Sequence, residues 1–252
     1  MVKLKAALKT VNPAGLVGRY HRLRREQLRE RNRQLSVKEV FTRVYRDSEW
    51  HGAAGEFDSG YGSQNDMAAP YCAAVRDFMK ARKIASVADL GCGDFRVGAG
   101  LQMAGVEYVG VDIVDDLIAQ NQERHGGAAV SFRCLDIIAD ELPDADLCLV
   151  RQVLQHLSNA QIAVALAKLK KYRYALITEH YPAPERAAAP NLDKPHGSDT
   201  RIFDDSGVYL DKPPFNVNNL TEFLNLEATR YLVAPGERIV TFLLDTTVPQ
   251  AV

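Results

Sequence analysis

The chain has 252 residues, 46% hydrophobic and 25% charged, the balance of a soluble globular protein with room for one α/β domain and additions. No apolar run approaches the roughly 18 residues a membrane-spanning helix needs. The start, Met1-Val-Lys-Leu-Lys-Ala-Ala-Leu-Lys9, is basic throughout and lacks the apolar core of a secretory signal. The net charge of −1 hides an asymmetry: residues 1–35 hold ten Lys or Arg against two Glu, a surplus of +8, and the remainder carries −9. An acidic body argues against a large nucleic-acid footprint, which would need a basic face on the fold itself.

In chain order, residues 1–35 form a basic arm broken at Asn12-Pro13. Leu16, Tyr20, Leu23, Leu28 and Leu35 among arginines predict a weakly amphipathic helix. It either packs its apolar stripe on the body or attaches to an anionic membrane surface or an acidic partner. Ser36-Val-Lys-Glu39 is a capping-box pattern that opens a helix to about Arg46. The glycine-rich loop Glu49 to Ser63 carries the only Trp, and its aromatics Trp50, Phe57 and Tyr61 favour a lid over a plain linker. A helix follows over about 66–83.

Strands are predicted at about 86–90, 107–112, 130–135, 146–150 and 173–179, alternating with helices at about 96–104, 114–124 and 159–171. The alternation predicts a doubly wound, mostly parallel sheet with ligands at the strand carboxyl ends. After a Pro-rich segment, 181–216, a helix near 218–224 is expected. Two strands, at about 228–233 and 238–245, then form an antiparallel hairpin and complete seven strands. The four cysteines, Cys72, Cys92, Cys134 and Cys148, lack Cys-x-x-Cys pairing and read as free thiols of a reducing compartment. A cytoplasmic location, with peripheral contact at the inner membrane face through the arm, is the matching expectation.

The chemistry starts at Val87-Ala-Asp-Leu-Gly-Cys-Gly-Asp-Phe95. A strand runs into a turn with Gly91 and Gly93, where backbone must turn sharply or lie against a ligand. Asp112 ends the next strand nineteen residues after Gly93, the offset at which a carboxylate accepts hydrogen bonds from a ribose. A dinucleotide would want a third glycine where Arg96 stands, and its pyrophosphate would be repelled by Asp94. S-adenosyl-L-methionine carries no phosphate and has a cationic sulfonium and ammonium, which Asp89 and Asp94 suit.

This arrangement resembles the class I S-adenosylmethionine-dependent methyltransferases over about 66–245. The resemblance implies that Asp89, Gly91, Gly93 and Asp94 lie beside the methionine half of the cofactor. It places Asp112 on the ribose, Ile113 beside the adenine, and Asp136 with Ile137 at the adenine edge. Leu149 to Leu157, including Arg151, would face the transferred methyl, with Arg151 a cofactor contact.

A narrower likeness is carried by Phe41-Thr-Arg-Val-Tyr45, Ser59-Gly-Tyr-Gly-Ser63, Gly93-Asp-Phe95, Val111-Asp-Ile-Val114, Val153-Leu-Gln-His-Leu-Ser158 and Asp211-Lys-Pro-Pro-Phe-Asn216. It is similar to bacterial methyltransferases of surface glycans or small molecules, which usually have Asp where this chain has Gln152. Pro213-Pro-Phe215 is not the amino-methyltransferase signature, because Lys212 precedes it and it follows the fifth strand.

A hydroxyl acceptor needs a base, and His156, His180 and His196 are the candidates. Glu179 and Arg201 are weaker candidates for acceptor binding. The reading is O-methylation of a glycan, sugar-derived or other small hydroxyl acceptor. The alternatives are an RNA or protein methyltransferase docking through the arm, and a catalytically idle module of this fold. The domains are the arm, 1–35, and a methyltransferase domain, 36–252, with a helix and lid-like loop over 36–65.

Overall fold

The computed structural model describes residues 13–50, 57–230 and 232–247. Residues 1–12 of the predicted arm and 51–56 of the predicted lid lie outside the described residues. Helix α1 (Pro13–Arg33) opens on proline, whose missing N–H and fixed φ suit a first helical position. Helix α2 (Val37–Arg46) starts from Ser36 with both halves of the expected capping box formed. Then come α3 (Asn65–Arg82), β1 (Ser86–Leu90), α4 (Arg96–Ala99), β2 (Glu107–Asp112), α5 (Asp115–His125), β3 (Val130–Cys134), β4 (Leu147–Arg151), α6 (Asn159–Leu169), β5 (Tyr174–Tyr181), β6 (Leu220–Glu227) and β7 (Arg238–Asp245).

The sheet has seven strands in the order β3-β2-β1-β4-β5-β7-β6. The first five are parallel, and β7 runs antiparallel between β5 and β6. Alternate strand residues feed two cores. Val87, Tyr108, Leu149 and Leu176 pack with α3 on one face, while Ala88, Val111, Val150 and Ile177 pack with α6 on the other. A third cluster sets Val40, Phe41, Val44 and Tyr45 of α2 on Val114 and Leu117. Strand order reverses at β1, between β2 and β4, so the crevice lies at the carboxyl ends of β1, β2 and β4.

Three expectations are corrected. Residues 218–224 form no helix: β6 begins at Leu220. A register shift between Glu222 and Leu224 breaks the two-residue alternation that would have revealed a strand. Of the strand expected at 228–233, residue 231 lies outside the described residues and the others form no ladder strand. The Glu237 carboxylate accepts the N–H groups of Leu232, Val233 and Ala234, which diverts them from strand pairing. The helix expected over 96–104 ends at Ala99, where Gly98 and Gly100 lower helix propensity.

The arm's expected apolar stripe is split: Leu28 lines the cavity and Leu35 packs on the α2 cluster, whereas Tyr20 and Leu23 turn outward. Tyr20 is 61% and Leu23 49% exposed, and polar side chains also meet the body. Arg29 pairs with Asp199 at 2.6 Å and Asp204 at 2.5 Å. Asn32 donates to the His196 carbonyl and accepts from Arg43. Charged hydrogen bonds to two acidic loop residues outweigh one turn of leucine burial here. No described helix is long and apolar enough to cross a membrane.

Candidate functional site

A cavity of about 990 Å³ opens over the carboxyl ends of the strands. That is the upper end of the ~300–1,000 Å³ usual for small-molecule sites, so a nucleoside cofactor and a second ligand both have room. Its two halves are built differently.

The first half is backbone. After β1 the chain turns through Gly91 (φ +78°) and Gly93 (φ +56°). The N–H groups of Gly91 and Cys92 both meet the Val111 carbonyl of β2. A Cβ on Gly91 would stand 2.4 Å from Val153 Cγ2, and one on Gly93 would stand 2.1 Å from Ser59 Oγ. Both positions therefore need glycine for conformation and for space.

Asp112 reaches back to this turn. Its Oδ2 accepts the Gly93 N–H at 3.2 Å, and its Oδ1 accepts those of Ile113 and Val114 at 2.8 and 3.3 Å. Burial raises its pKa to about 6, against the pull of those three donors. Three donors fix the carboxylate and leave lone-pair capacity toward the cavity. Asp89 is also raised to about 6 by burial, while its hydrogen bond from Tyr108 pulls the other way. Asp136 caps its own turn through the Ile138 N–H at 2.7 Å, and it lines the wall with Ile113 and Ile137.

Asp94 lines the cavity but spends its carboxylate on structure. It accepts from the Ser59 and Arg96 N–H groups and pairs with the Arg96 guanidinium at 3.2 Å. Arg96 also reaches Ser63 Oγ and Asp58. The residue in place of a third glycine thus clasps segment 57–63 to the turn. That segment is held at its far end by Tyr61, whose hydroxyl meets Thr229 at 2.8 Å. The described part of the expected lid is a bonded wall.

The second half is side chains. Arg151, at the end of β4, lines the cavity and lies over the Tyr71 ring at 4.9 Å. Among the described residues its Nε and Nη2 are buried without partners, as are Tyr71 Oη, Gln155 Oε1 and Thr200 Oγ1. All these groups line the same cavity. Buried polar atoms are rarely left unpaired, and their concentration on one wall marks where a polar ligand would satisfy them.

The three histidines separate. His156 lines the cavity with its ring 5.2 Å from Trp50 and 6.2 Å from Phe41. Its Nδ1 meets the Gly197 carbonyl at 3.0 Å, which fixes the proton on Nδ1. Burial pushes its pKa down to about 4, a weak base at neutral pH. His180, at the end of β5, is 4% exposed and lines the cavity. Its Nε2 lies 3.1 Å from Glu237 Oε2, close enough to pair though off the N–H axis. Burial raises the Glu237 carboxyl, but the His180 ring and the N–H groups of Leu232, Ala234 and Val233 together pull it down to about 2. It is therefore a fixed negative charge behind the ring.

His196 does not belong to the site. It is not among the cavity residues, and its two ring nitrogens are engaged by the Leu35 carbonyl and the Gln161 amide. It joins the arm to the body. Glu179 and Arg201 are likewise scaffold. Glu179 accepts the N–H groups of Leu154 and Gln155. Arg201, 1% exposed, donates to the carbonyls of Leu154, Gln155, Leu157 and Leu192 and to Asn159. Together they brace the turn that presents Gln155 and His156. Gln152, where an Asp was expected, sits in left-handed backbone (φ +56°) with its amide where a Cβ on Gly62 would be; its side chain packs the 57–63 wall.

Glu237, Tyr71 and Ser59 could not be found from sequence spacing. Each is joined to the site across more than fifteen residues of chain; Glu237 and Tyr71 sit in no motif, and the Ser59-Gly-Tyr-Gly-Ser63 run does not reveal that Ser59 meets Gly93 and Asp94.

The residues present fit S-adenosylmethionine. Two glycines at a close approach, a carboxylate held at the β2 terminus and an acidic surround suit a cationic nucleoside, and no set of N–H groups is gathered for a pyrophosphate. Residues 88–172 match a family model described as a methyltransferase domain. No curated protein matches the chain. Among solved structures, the 1,6-didemethyltoxoflavin-N1-methyltransferase of Burkholderia thailandensis is similar at 16% identity with a TM-score of 0.52, over 82% of this chain and 86% of that one. The magnesium protoporphyrin IX methyltransferase of Synechocystis is similar at 15% identity with a TM-score of 0.51, over 82% of this chain and 99% of that one. Both likenesses are of fold.

Proposed function

We propose that this chain is a class I S-adenosylmethionine-dependent methyltransferase, a reading supported by the methyltransferase-domain match over residues 88–172, and that it methylates a hydroxyl oxygen of a small molecule, a glycan or a sugar-derived acceptor. The observation that carries the reading is the His180–Glu237 pair on the wall of the cofactor cavity. An amine needs only to be unprotonated, whereas a hydroxyl must lose a proton as it attacks. A histidine backed by a fixed carboxylate suits that step.

When bound, S-adenosylmethionine would supply an electrophilic methyl on a sulfonium. Asp112 holds the ribose, the Gly91–Gly93 turn receives the methionine half, and Ile113, Asp136 and Ile137 surround the adenine. His180 takes the hydroxyl proton, and the Glu237 carboxylate, 3.1 Å from its Nε2, stabilises the imidazolium that results. Glu237 is a positioning residue. His156, with its lowered pKa and Trp50 and Phe41 around it, closes the wall and excludes water. Alignment and water exclusion supply most of the rate, since the leaving group is already good.

The test uses S-adenosylmethionine labelled in its methyl group, with a lysate separated into glycan, small-molecule, protein and RNA fractions. Label is expected in a glycan or small-molecule fraction and absent with Asp112→Ala. Label confined to RNA or protein would overturn the reading.

A further inference from the structure

The inward face of α1 is the most unexpected feature of the molecule. A basic helix resting on a protein ordinarily buries its apolar stripe and offers its charges to water. Here Tyr20 and Leu23 face outward, while His21, Arg22, Arg24 and Arg25, together with Leu28, line the cavity. The placement is secured from the body: Arg29 is held by Asp199 and Asp204, and the Arg25 guanidinium lies 5.0 Å over the Phe203 ring.

The nearby acids are already committed. Asp199 also faces Lys194 at 3.5 Å, and Asp205 pairs with Arg186, another mouth residue, at 2.7 Å. Among the described residues no carboxylate pairs with Arg22, Arg24 or Arg25. Glu26 is the acid nearest in sequence, in a smaller depression beside the mouth with Arg22 and Arg25. The cavity is therefore polarised, with Asp89, Asp112 and Asp136 at its cofactor end and guanidinium groups at its entrance. Such a field draws in an anion and orients it charge outward. Planar guanidinium forks match phosphate oxygens in a bidentate way that a lone ammonium does not.

We propose that the arm is the acceptor-recognition element, and that Arg22, Arg24 and Arg25 bind a phosphate or diphosphate on the acceptor while its hydroxyl reaches His180. This rests on the O-methylation reading and narrows it to phosphorylated acceptors. The phosphate can belong to a soluble sugar phosphate or to the headgroup of a lipid-linked glycan; the recognition chemistry is the same.

The test is calorimetry on the full chain loaded with S-adenosylhomocysteine, using inorganic pyrophosphate as the probe at low and at 0.3 M salt. The double variant Arg22→Gln/Arg24→Gln is compared with wild type; both side chains are exposed and neither is among the contacts that secure the arm, so folding is retained. The expected result is one pyrophosphate site, about tenfold weaker in the variant and weaker at high salt, with S-adenosylhomocysteine affinity unchanged. Equal pyrophosphate affinity in the two proteins, or none in wild type, would overturn the inference.

Sedimentation with phosphatidylglycerol vesicles distinguishes the sources. Vesicle binding displaced by pyrophosphate points to a lipid-borne phosphate, and pyrophosphate binding without vesicle binding points to a soluble one. Vesicle binding that pyrophosphate does not displace contradicts the proposal and assigns the arm to the membrane surface through Tyr20 and Leu23. Failure of S-adenosylhomocysteine to bind in the same titration would instead strike the methyltransferase reading, so the two failures are told apart.

Discussion

The cofactor half and the acceptor half of the cavity share a space but not a manner of construction. The cofactor half is made within about fifty residues, from strand ends whose positions follow from the parallel register and from a turn whose glycines have no room for a Cβ. The acceptor half gathers side chains from α1, the 57–63 wall, the end of β5, the 181–216 segment and the β6–β7 connection. A local motif can specify the first. Only the completed fold assembles the second, so the second can vary between proteins that keep the first.

If the acceptor half depends on its scaffold, breaking the scaffold should cost most. Arg201→Met leaves four backbone carbonyls and Asn159 without their donor and Glu179 without a nearby cation. Burial already raises Glu179 to about 8 against the pull of its backbone donors and Arg201. Stability is expected to fall by about 3 kcal/mol or more, read by urea denaturation, and a change under 1 kcal/mol would show that the turn after β4 stands without it. Asp112→Ala touches the other half only. Affinity for S-adenosylhomocysteine should drop about a hundredfold, equivalent to ~3 kcal/mol of lost charged hydrogen bonding, read on protein shown to be folded, since the Gly93, Ile113 and Val114 N–H groups also lose their acceptor; unchanged affinity would remove Asp112 from the site.

Gly93→Ala sharpens the contrast from the backbone side. The added Cβ meets Ser59 Oγ at a positive φ, and a loss of ~1–3 kcal/mol is expected. It should appear both in stability and in S-adenosylhomocysteine binding, because the turn and the 57–63 wall move together. Stability without any binding change would separate them.

A pH dependence probes the acceptor wall through His156. His156 is held at about 4 when folded and near 6.5 when unfolded. The unfolded chain therefore binds the proton more readily, and stability is present above pH 6.5 and lost as pH falls toward 4, at ~1.4 kcal/mol per unit for this one group. His156→Gln should flatten that part of the stability profile relative to wild type. An identical acid slope would place the His156 ring in water.

What was legible in the sequence follows the same division. Ser86–Leu90, the glycine turn and Asp112 were readable because periodicity, spacing and chemistry agree within one βαβ unit. The capping box at Ser36 was readable because its two hydrogen bonds lie three residues apart. Residues 218–233 were misread because a bulge at Glu222 disturbs the strand period, and because Glu237 captures amides that a strand would have used. His196 looked like His156 and His180 in sequence. Only the fold shows that its ring nitrogens serve the Leu35 carbonyl and the Gln161 amide. The arm's helix was legible, but its facing was not, since Asp199 and Asp204 lie some 170 residues from the Arg29 they hold.

The most direct measurement is single-turnover methyl transfer from labelled S-adenosylmethionine to the isolated acceptor fraction, comparing wild type with His180→Gln across pH 6 to 9. Wild type should transfer label to the acceptor oxygen, and the variant should be about a hundredfold or more slower while binding S-adenosylhomocysteine as wild type does. Equal rates in the two proteins, with the same pH profile, would contradict a hydroxyl acceptor deprotonated by the His180–Glu237 pair.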